Sequence, residues 1–503
     1  MSTDTSTRAG LREWLGLAVL ALPTVLLALD LTVLHLALPH LGADLGASNT
    51  ELLWITDVYA FMVAGALITM GTLGDRIGRR RLLLIGAAAF TAASVLAAYS
   101  TSPEMLIATR ALLGLAGATL GPSTLSLIGT MFRDPRQRSL AIGLWLTAFS
   151  LGGALGPAVG GILLEYFWWG SVFLLGVPVM VVLLVTGPLL LPEYRAPRPG
   201  RLDLVSVALS LAALLPVIYG VKEIARSGLG VVPVAAIVAG AVAGVVFVRR
   251  QRRIADPLLD LTLFGSRRFS GALVGLMLGA VTLYAFTFYF TQHLRLVDGL
   301  SPLRAGLWFV PLAMATVVAA TVSPLLARRF RPERVIAGGL VVASVGFVAL
   351  AVSDTGAGLP TLIGAGVAIG VGINPLLVLG TDLVVGSAPP DRTGSAAAIS
   401  ESGSELGAGV GIAAFGTLGT TVYGTEVAAA MPPEVPAEVA AEARDSIVGA
   451  FAVVADLPAP VGERLLAVAR EAFVSGMGVV SGASAAVLVG TAVLVLVMLG
   501  RRT

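Results

Sequence analysis

Gly71-Thr-Leu-Gly-Asp-Arg-Ile-Gly-Arg-Arg-Arg81 is a short basic turn set between two long apolar runs, 51–73 and 82–101. Gly74 and Gly78 permit a tight reversal of the chain. Asp75 is placed to pair with a neighbouring Arg or to cap the next half-helix. The flanking runs explain the setting, because a helix needs about 20 apolar residues to cross roughly 30 Å of hydrocarbon. Reading outward, fourteen such runs follow one another: 14–40, 51–73, 82–101, 104–132, 140–164, 171–191, 203–222, 230–248, 269–293, 302–326, 334–352, 359–386, 394–424 and 474–500. None alternates polar with apolar residues, so these are helices and not strands of a barrel.

Composition agrees. Of the 503 residues 56% are hydrophobic and 13% charged, and mean hydropathy is +0.91. A soluble domain carries about 25% charged residues, so soluble enzymes and disordered scaffolds are excluded. The net charge of +3 is too small, and the basic residues too scattered, to suggest nucleic acid. With no cysteine and three histidines, neither a thiolate metal site nor a disulfide framework is available. No metal or cofactor is expected, and no G-x-x-x-x-G-K-[ST] nucleotide loop is present.

The basic residues set the orientation. With the amino terminus inside, 25 of the 33 Lys and Arg fall in inside segments, 7 in outside segments, and Arg110 lies within a span. Such a bias predicts cytoplasmic termini. The first run is too long for a signal-peptide core and is expected to remain as a span.

The spans divide six, two and six. A Pro/Arg linker, Leu191-Pro-Glu-Tyr-Arg-Ala-Pro-Arg-Pro-Gly-Arg201, closes the first six, and a basic loop, Arg249 to Arg268, opens the last six. The expected units are a six-helix bundle over 1–198, a two-helix insert with linkers over 199–255, and a second six-helix bundle over 256–503. The turn Leu325-Leu-Ala-Arg-Arg-Phe-Arg-Pro-Glu-Arg334 echoes the first basic turn at the matching place in the last six. Repeated halves are the usual build of secondary transporters, with the substrate site between them. Segment 425–472 is different: it carries eight acids and three Arg and lies outside. It reads as a solvated cap with helices near 436–454 and 460–474, or as an acidic vestibule that gathers cations.

Five further stretches carry a resemblance. Leu29-Asp-Leu-Thr-Val-Leu-His-Leu-Ala-Leu-Pro39, Trp54-Ile-Thr-Asp-Val-Tyr59, Leu106-Ile-Ala-Thr-Arg-Ala-Leu-Leu-Gly114, Gly152-Gly-Ala-Leu-Gly-Pro-Ala-Val-Gly-Gly161 and Ser395-Ala-Ala-Ala-Ile-Ser-Glu-Ser-Gly-Ser-Glu-Leu-Gly407 stand in this order. With the basic turn, they resemble the major facilitator superfamily, and within it the fourteen-helix drug:proton antiporters, the quaternary-ammonium-compound efflux pumps. The resemblance implies an all-α polytopic membrane protein of the major facilitator fold, 6+2+6. It also implies a bacterial inner-membrane location and export of lipophilic cations and related drugs against protons. One chain holds both halves, so a monomer embedded in membrane lipid is expected.

Ionisable residues inside spans are costly and need a reason to be there. Asp30 stands in the middle of an apolar run. It can carry a proton between the two sides, or it can be the structural partner of Arg110. Asp57 lies two turns into the second span and can bind a cation or join helices. Glu401 and Glu405 share a helix face at i, i+4. Their mutual repulsion favours one of them being protonated or a cation bound between them, the structural alternative being a helix-capping or packing role. By resemblance Asp30, Arg110 and Glu405 are proton-coupling residues, and Asp57 and Glu401 bind substrate. Trp54, Tyr59, Trp145 and Tyr284 offer aromatic faces to a flat cation. Asp382, near the end of its span, is as readily a boundary residue as a site.

Gly71, Asp75, Arg76, Gly78 and Arg79 form one conformational motif. Gly152, Gly156, Pro157, Gly160 and Gly161 form a second. Gly152, Gly156 and Gly160 lie on one helix face, which suits close packing, and by resemblance the stretch is a movable seal between the halves. Two departures from the resembled group concern charge: Ser400 stands where some relatives have a further acid beside Glu401, and the tenth span lacks the acid that some dication exporters carry. By resemblance this favours monovalent over divalent cations. Two other transport readings stay open, a dedicated exporter of one antibiotic or metabolite and a lipid flippase. Three scattered histidines do not supply a membrane enzyme.

Overall fold

The computed structural model describes residues 9–195, 203–227, 230–254, 257–356, 358–389, 392–454 and 457–500. The described residues are helical, with no strand among them. The first six-helix unit consists of α1 (Leu11–Leu45), α2 (Asn49–Ile77), α3 (Arg79–Ala98), α4 (Pro103–Met131), α5 (Pro135–Tyr166) and a sixth span made of α6 (Ser171–Leu174) and α7 (Gly176–Leu190). A hairpin of α8 (Leu204–Ser227) and α9 (Val231–Gln251) follows. The last unit comprises α10 (Arg267–Gln292), α11 (Pro302–Leu326), α12 (Pro332–Ala351), a fourth span of α13 (Leu359–Pro375) and α14 (Thr381–Ser387), α15 (Thr393–Ala430) and α18 (Ala459–Gly500). Two short helices, α16 (Ala437–Asp445) and α17 (Ile447–Val453), lie between α15 and α18.

Thirteen helices among the described residues are long and apolar enough to cross a membrane. The 32-residue α5 is also of spanning length and carries no charge between Ser139 and Leu164. The fourteen runs expected from sequence are therefore all helical. Local chemistry starts many of them. Ser48 and Glu51 form a reciprocal capping box at α2. Ser48 also holds the Glu51 carboxyl below the usual range by hydrogen bonding. Ser102, Asp134 and Ser301 cap α4, α5 and α11, each followed by a proline in the first turn.

The two halves have separate cores. One gathers Leu20, Ile55, Leu83, Leu113 and Phe132, and the other Phe269, Phe290, Leu340, Phe347 and Leu488. The start of α1, the turn after α2, the start of α5 and the end of α7 meet at one end, called here the basic end. There Ala9 donates to Gln137, and Arg12 to the Leu189 carbonyl. The hairpin lies beside both halves, with α8 against α2 and α15.

The acidic segment is folded. At roughly 1.5 Å per residue, the 38-residue α15 and the 42-residue α18 outrun a bilayer, and α16 and α17 pack between their projecting ends. The helix expected at 460–474 is therefore continuous with the last span, a correction to two separate elements. Tyr423 donates to the Ala443 carbonyl, and Ile447, Ala450, Leu465 and Phe473 share a third core. Glu434 pairs with Arg464 at 2.9 Å, and hydrogen bonding holds its carboxyl below the usual range. Asp456, Arg8, Arg198, Arg201, Arg501 and Arg502 lie outside the described residues, as do the side chains of His35, Lys222 and Arg226.

Candidate functional site: two acidic loci and a cross-half lock

Asp75 pairs with a neighbouring Arg as expected, but the helix it caps is α15 of the other half and not the next one, α3, which has no side-chain cap. Asp75 is buried and accepts from Arg79 Nε at 2.9 Å. It also accepts from the backbone N–H groups of Gly394 (3.1 Å) and Ser395 (3.0 Å) in the first turn of α15. A carboxylate at a helix amino terminus is stabilised by the unpaired N–H groups and the helix dipole, so Asp75 joins the halves. The two glycines make the approach possible. A Cβ at residue 71 would lie 2.6 Å from the Gly394 carbonyl oxygen, and one at residue 394 would lie 2.6 Å from Asp75. Gly78 has φ +113, which other residues rarely adopt.

Sequence reading missed the strap that holds the turn. Arg79 stacks 4.7 Å from the Tyr194 ring centroid, and its N–H donates to the Tyr194 carbonyl. Arg80 faces Glu193, and Arg195 Nε donates to the Arg76 carbonyl. The described part of the Pro/Arg linker is thus a clamp on the motif. An aromatic among arginines immediately after the sixth span was the available signal.

A second joint was also missed. Arg138 Nε at the start of α5 donates to Asp382 Oδ1 of α14 at 2.6 Å, and the Ser139 hydroxyl donates to Asp382 Oδ2 at 2.6 Å. Asp382 is therefore a cross-half residue, not merely a boundary one. Nearby, Gly143 of α5 faces the Ala320 carbonyl of α11, and Gly129 of α4 faces Val385 of α14. The cross-half bonds named here all lie toward the basic end, so the halves are held together there.

Asp30 and Arg110 come together. Arg110 Nη1 donates to Asp30 Oδ2 at 2.8 Å, and its Nε donates to the Ile55 carbonyl at 3.2 Å. Its guanidinium lies 4.4 Å from the Tyr59 ring centroid. Tyr59 is buried beneath this cation and is not an open aromatic wall. Glu401 lies elsewhere, with its carboxyl against Gly121 of α4, where a Cβ would collide with it. Its Oε1 is buried without a hydrogen-bond partner among the described residues. Arg110 and Gly121 are eleven residues apart on α4, roughly 16 Å of rise. One helix of the first half thus carries two acidic loci at different depths, one of them filled from the second half. Glu405 is exposed and interacts electrostatically with Glu401, Tyr59 and Tyr284.

Tyr284 and Trp54 are partly exposed, and Trp54 sits edge-on to Phe61. Trp145 is buried, and its Nε1 donates to the Thr124 hydroxyl of α4 at 3.1 Å. Asp57 is half-buried in α2 and has interactions of its own. The glycine stretch of α5 divides by face. Gly152, Gly156 and Gly160 are buried. A Cβ at 152 would strike the Val25 carbonyl of α1, whereas 153 and 161 face open space. This face packs within the first half, against the helix that carries Asp30, and α5 meets the second half through Gly143. The Pro157 side chain lies outside those described.

Comparison with known proteins agrees with this architecture. The family model described as Major Facilitator Superfamily matches residues 20–412. The chain is 44% identical over 493 residues to the multidrug efflux pump LfrA of Mycolicibacterium smegmatis, covering 98% of this chain and 97% of that one. It is 34% identical over 455 residues to the methyl viologen resistance protein SmvA of Salmonella typhimurium, covering 90% and 92%. Among solved structures, the human organic anion transporter MFSD10 aligns with a TM-score of 0.57 at 18% identity, covering 96% and 98%.

Proposed function

The chain belongs to the major facilitator superfamily, a multi-pass membrane transporter and not an enzyme, and we propose that it is a proton-coupled antiporter that exports lipophilic cations, quaternary ammonium drugs among them. Its moving bodies are the bundles 1–198 and 256–503, with 199–255 as an insert. It works as a monomer in the bacterial inner membrane. The basic end faces the cytoplasm with both termini, in keeping with the 25-to-7 distribution of basic residues. In this orientation the structure is the state joined on the cytoplasmic side.

The observation that carries the reading is the separation of the two acidic loci along α4. Asp30 is already neutralised by Arg110. Glu401 has a buried oxygen with no hydrogen-bond partner among the described residues, and such a group in a membrane interior needs a proton or a cation. Exposed Glu405 sits one turn further along α15. Substrate entering from the cytoplasmic side binds at Glu401, Glu405 and Asp57, with Trp54 and Tyr284 as aromatic walls and Trp145 supporting α4. Protons from outside reach Asp30 and the α15 acids, displace the cation and return with the next conformational change. Arg110 cannot give up its proton and stays charged, which leaves Asp30 as the member of the pair that exchanges one. The motif of Gly71 to Arg79 locks and unlocks the cytoplasmic side, while the α5 glycines let α1 and α5 stay packed as the half moves.

Dye efflux in inverted vesicles under an imposed pH gradient tests this. Transport driven by the gradient and abolished by a protonophore is expected in the parent, and strong loss in Asp30→Asn and Glu401→Gln. Parental rates in both variants would refute the coupling assignment.

A further inference from the structure

The α8–α9 hairpin leaves a cavity of about 560 Å³ against α2, within the range of pockets that hold small ligands. Ile68, Ala213, Leu214, Gly244 and Val245 make an apolar wall that Leu259 closes toward the basic end. At that end stand Arg249 and Arg252, both exposed. Their neighbour Arg250 is committed to Asp203 at 2.8 Å. The guanidinium groups of Arg249 and Arg252 have no ion-pair or hydrogen-bond partner among the described residues. An apolar slot in the membrane, with two unpaired cations at its aqueous mouth, matches a molecule with an apolar chain and an anionic head. It repels the lipophilic cations proposed as substrate.

We propose that this groove binds an anionic phospholipid of the leaflet on the basic side, its acyl chain along α8 and α9 and its phosphate on Arg249 and Arg252. Basic pockets between membrane helices are suited to such headgroups. The site borders the cross-half lock. Gln251 accepts from the N–H groups of Leu258 and Leu259 and donates to Ser206. Thr72 donates to the Leu258 carbonyl, three residues before Asp75 on α2. Two residues on, Asp260 pairs with Arg392 at 2.9 Å, immediately before α15. The segment Leu258–Asp260 beside the groove therefore reaches α2 and the residue before α15, the two helices that the Asp75 contact joins, and lipid occupancy favours the joined state. The inference rests on membrane placement alone and is independent of what the protein exports.

Native mass spectrometry of the purified full chain, with phosphatidylglycerol against phosphatidylcholine of the same chain length, tests it. Preferential retention of phosphatidylglycerol is expected, falling at least about fivefold in Arg249→Gln/Arg252→Gln. Gly244→Leu keeps both charges but fills the slot, and it should lose retention similarly. Arg267→Gln/Arg268→Gln removes two exposed charges of the same end and should change retention little. Parental retention in both groove variants would overturn the proposal. So would equal loss in the Arg267/Arg268 variant, which would mean general attraction to a basic face. Retention of a lipophilic cation that strengthens when Arg249 and Arg252 are removed would make the groove a drug entry path instead.

Discussion

Arg138 on α5 donates to Asp382 on α14 at 2.6 Å, joining residues 244 positions apart across the two halves. Both side chains are mostly shielded, 19% and 13% exposed, and a hydrogen bond to a charged group is worth about 1.5–3 kcal/mol. Removing its charge in Asp382→Asn or Arg138→Gln weakens the bond and should raise the fraction of molecules open at the basic end by about tenfold. The chain has no cysteine, so a single Val385→Cys, buried against Gly129 in the same seam, reports opening. Faster reaction with an impermeant maleimide added at the basic side is expected in both variants, with recovery in the charge-swapped Arg138→Asp/Asp382→Arg. Unchanged labelling would show that the pair does not hold the seam.

Gly121 and Glu401 give a steric test of the deeper locus. A Cβ at 121 would collide with the Glu401 carboxyl, and overpacking of this kind costs typically about 1–3 kcal/mol. Gly121→Ala should lower thermal stability in detergent and slow efflux. Adding Glu401→Ala should restore the stability but not the gradient-driven transport. If Gly121→Ala is already neutral in a thermal-shift assay, the two residues do not meet as described.

Much of the fold is legible in sequence because the membrane enforces it. Backbone groups must be satisfied within each segment, so runs such as 334–352 and 359–386 could become only helices. The cap was legible in outline, but the continuity of α18 was not, since Leu465, Ala469 and Phe473 are buried by packing within the third core, beside α16 and α17, and not by lipid. Of the candidate site, Asp30 and Arg110 could be paired from their depth. Asp382 could not be joined to Arg138, because its direction is set by a five-residue π-turn, Leu376–Gly380, that follows Pro375 and alters the helical phase. Tyr59 and Trp145 show the same limit: aromatic residues are visible in sequence, but which of them lie under a cation or against α4 is a property of packing.

The hairpin pair Asp203–Arg250 gives a pH prediction outside the spans. Hydrogen bonds from Arg250 and Ser206 hold the Asp203 carboxyl far below the usual carboxylate range. Its folded value is depressed, so its contribution is fully present above the unfolded value of about 3.9. That contribution is lost only as pH falls toward the folded value. Hydrogen exchange of α8 and α9 should therefore reflect the same contribution from this pair at pH 5 and pH 8. Asp203→Asn should speed exchange equally at both. An effect of the substitution that vanishes at pH 5 would contradict the direction of the shift.

Asp30 and Arg110 raise the question of whether their pair is only a strut. Arg110 is 1% exposed, and removing one partner of a buried pair typically costs about 3–5 kcal/mol. Asp30→Ala should therefore destabilise strongly, while Asp30→Asn, which keeps an oxygen facing Arg110, should destabilise less. Stability alone cannot separate a strut from a proton carrier, but the double variant can. In Asp30→Asn/Arg110→Gln no buried charge is left unpaired, so if the pair were only a strut, gradient-driven efflux would recover. A proton carrier cannot be replaced by two amides. The double variant should then regain thermal stability relative to Arg110→Gln alone, yet remain unable to couple efflux to the pH gradient. Recovery of coupled efflux in that variant would assign the pair to structure and leave the α15 acids, Glu401 and Glu405, as the proton pathway.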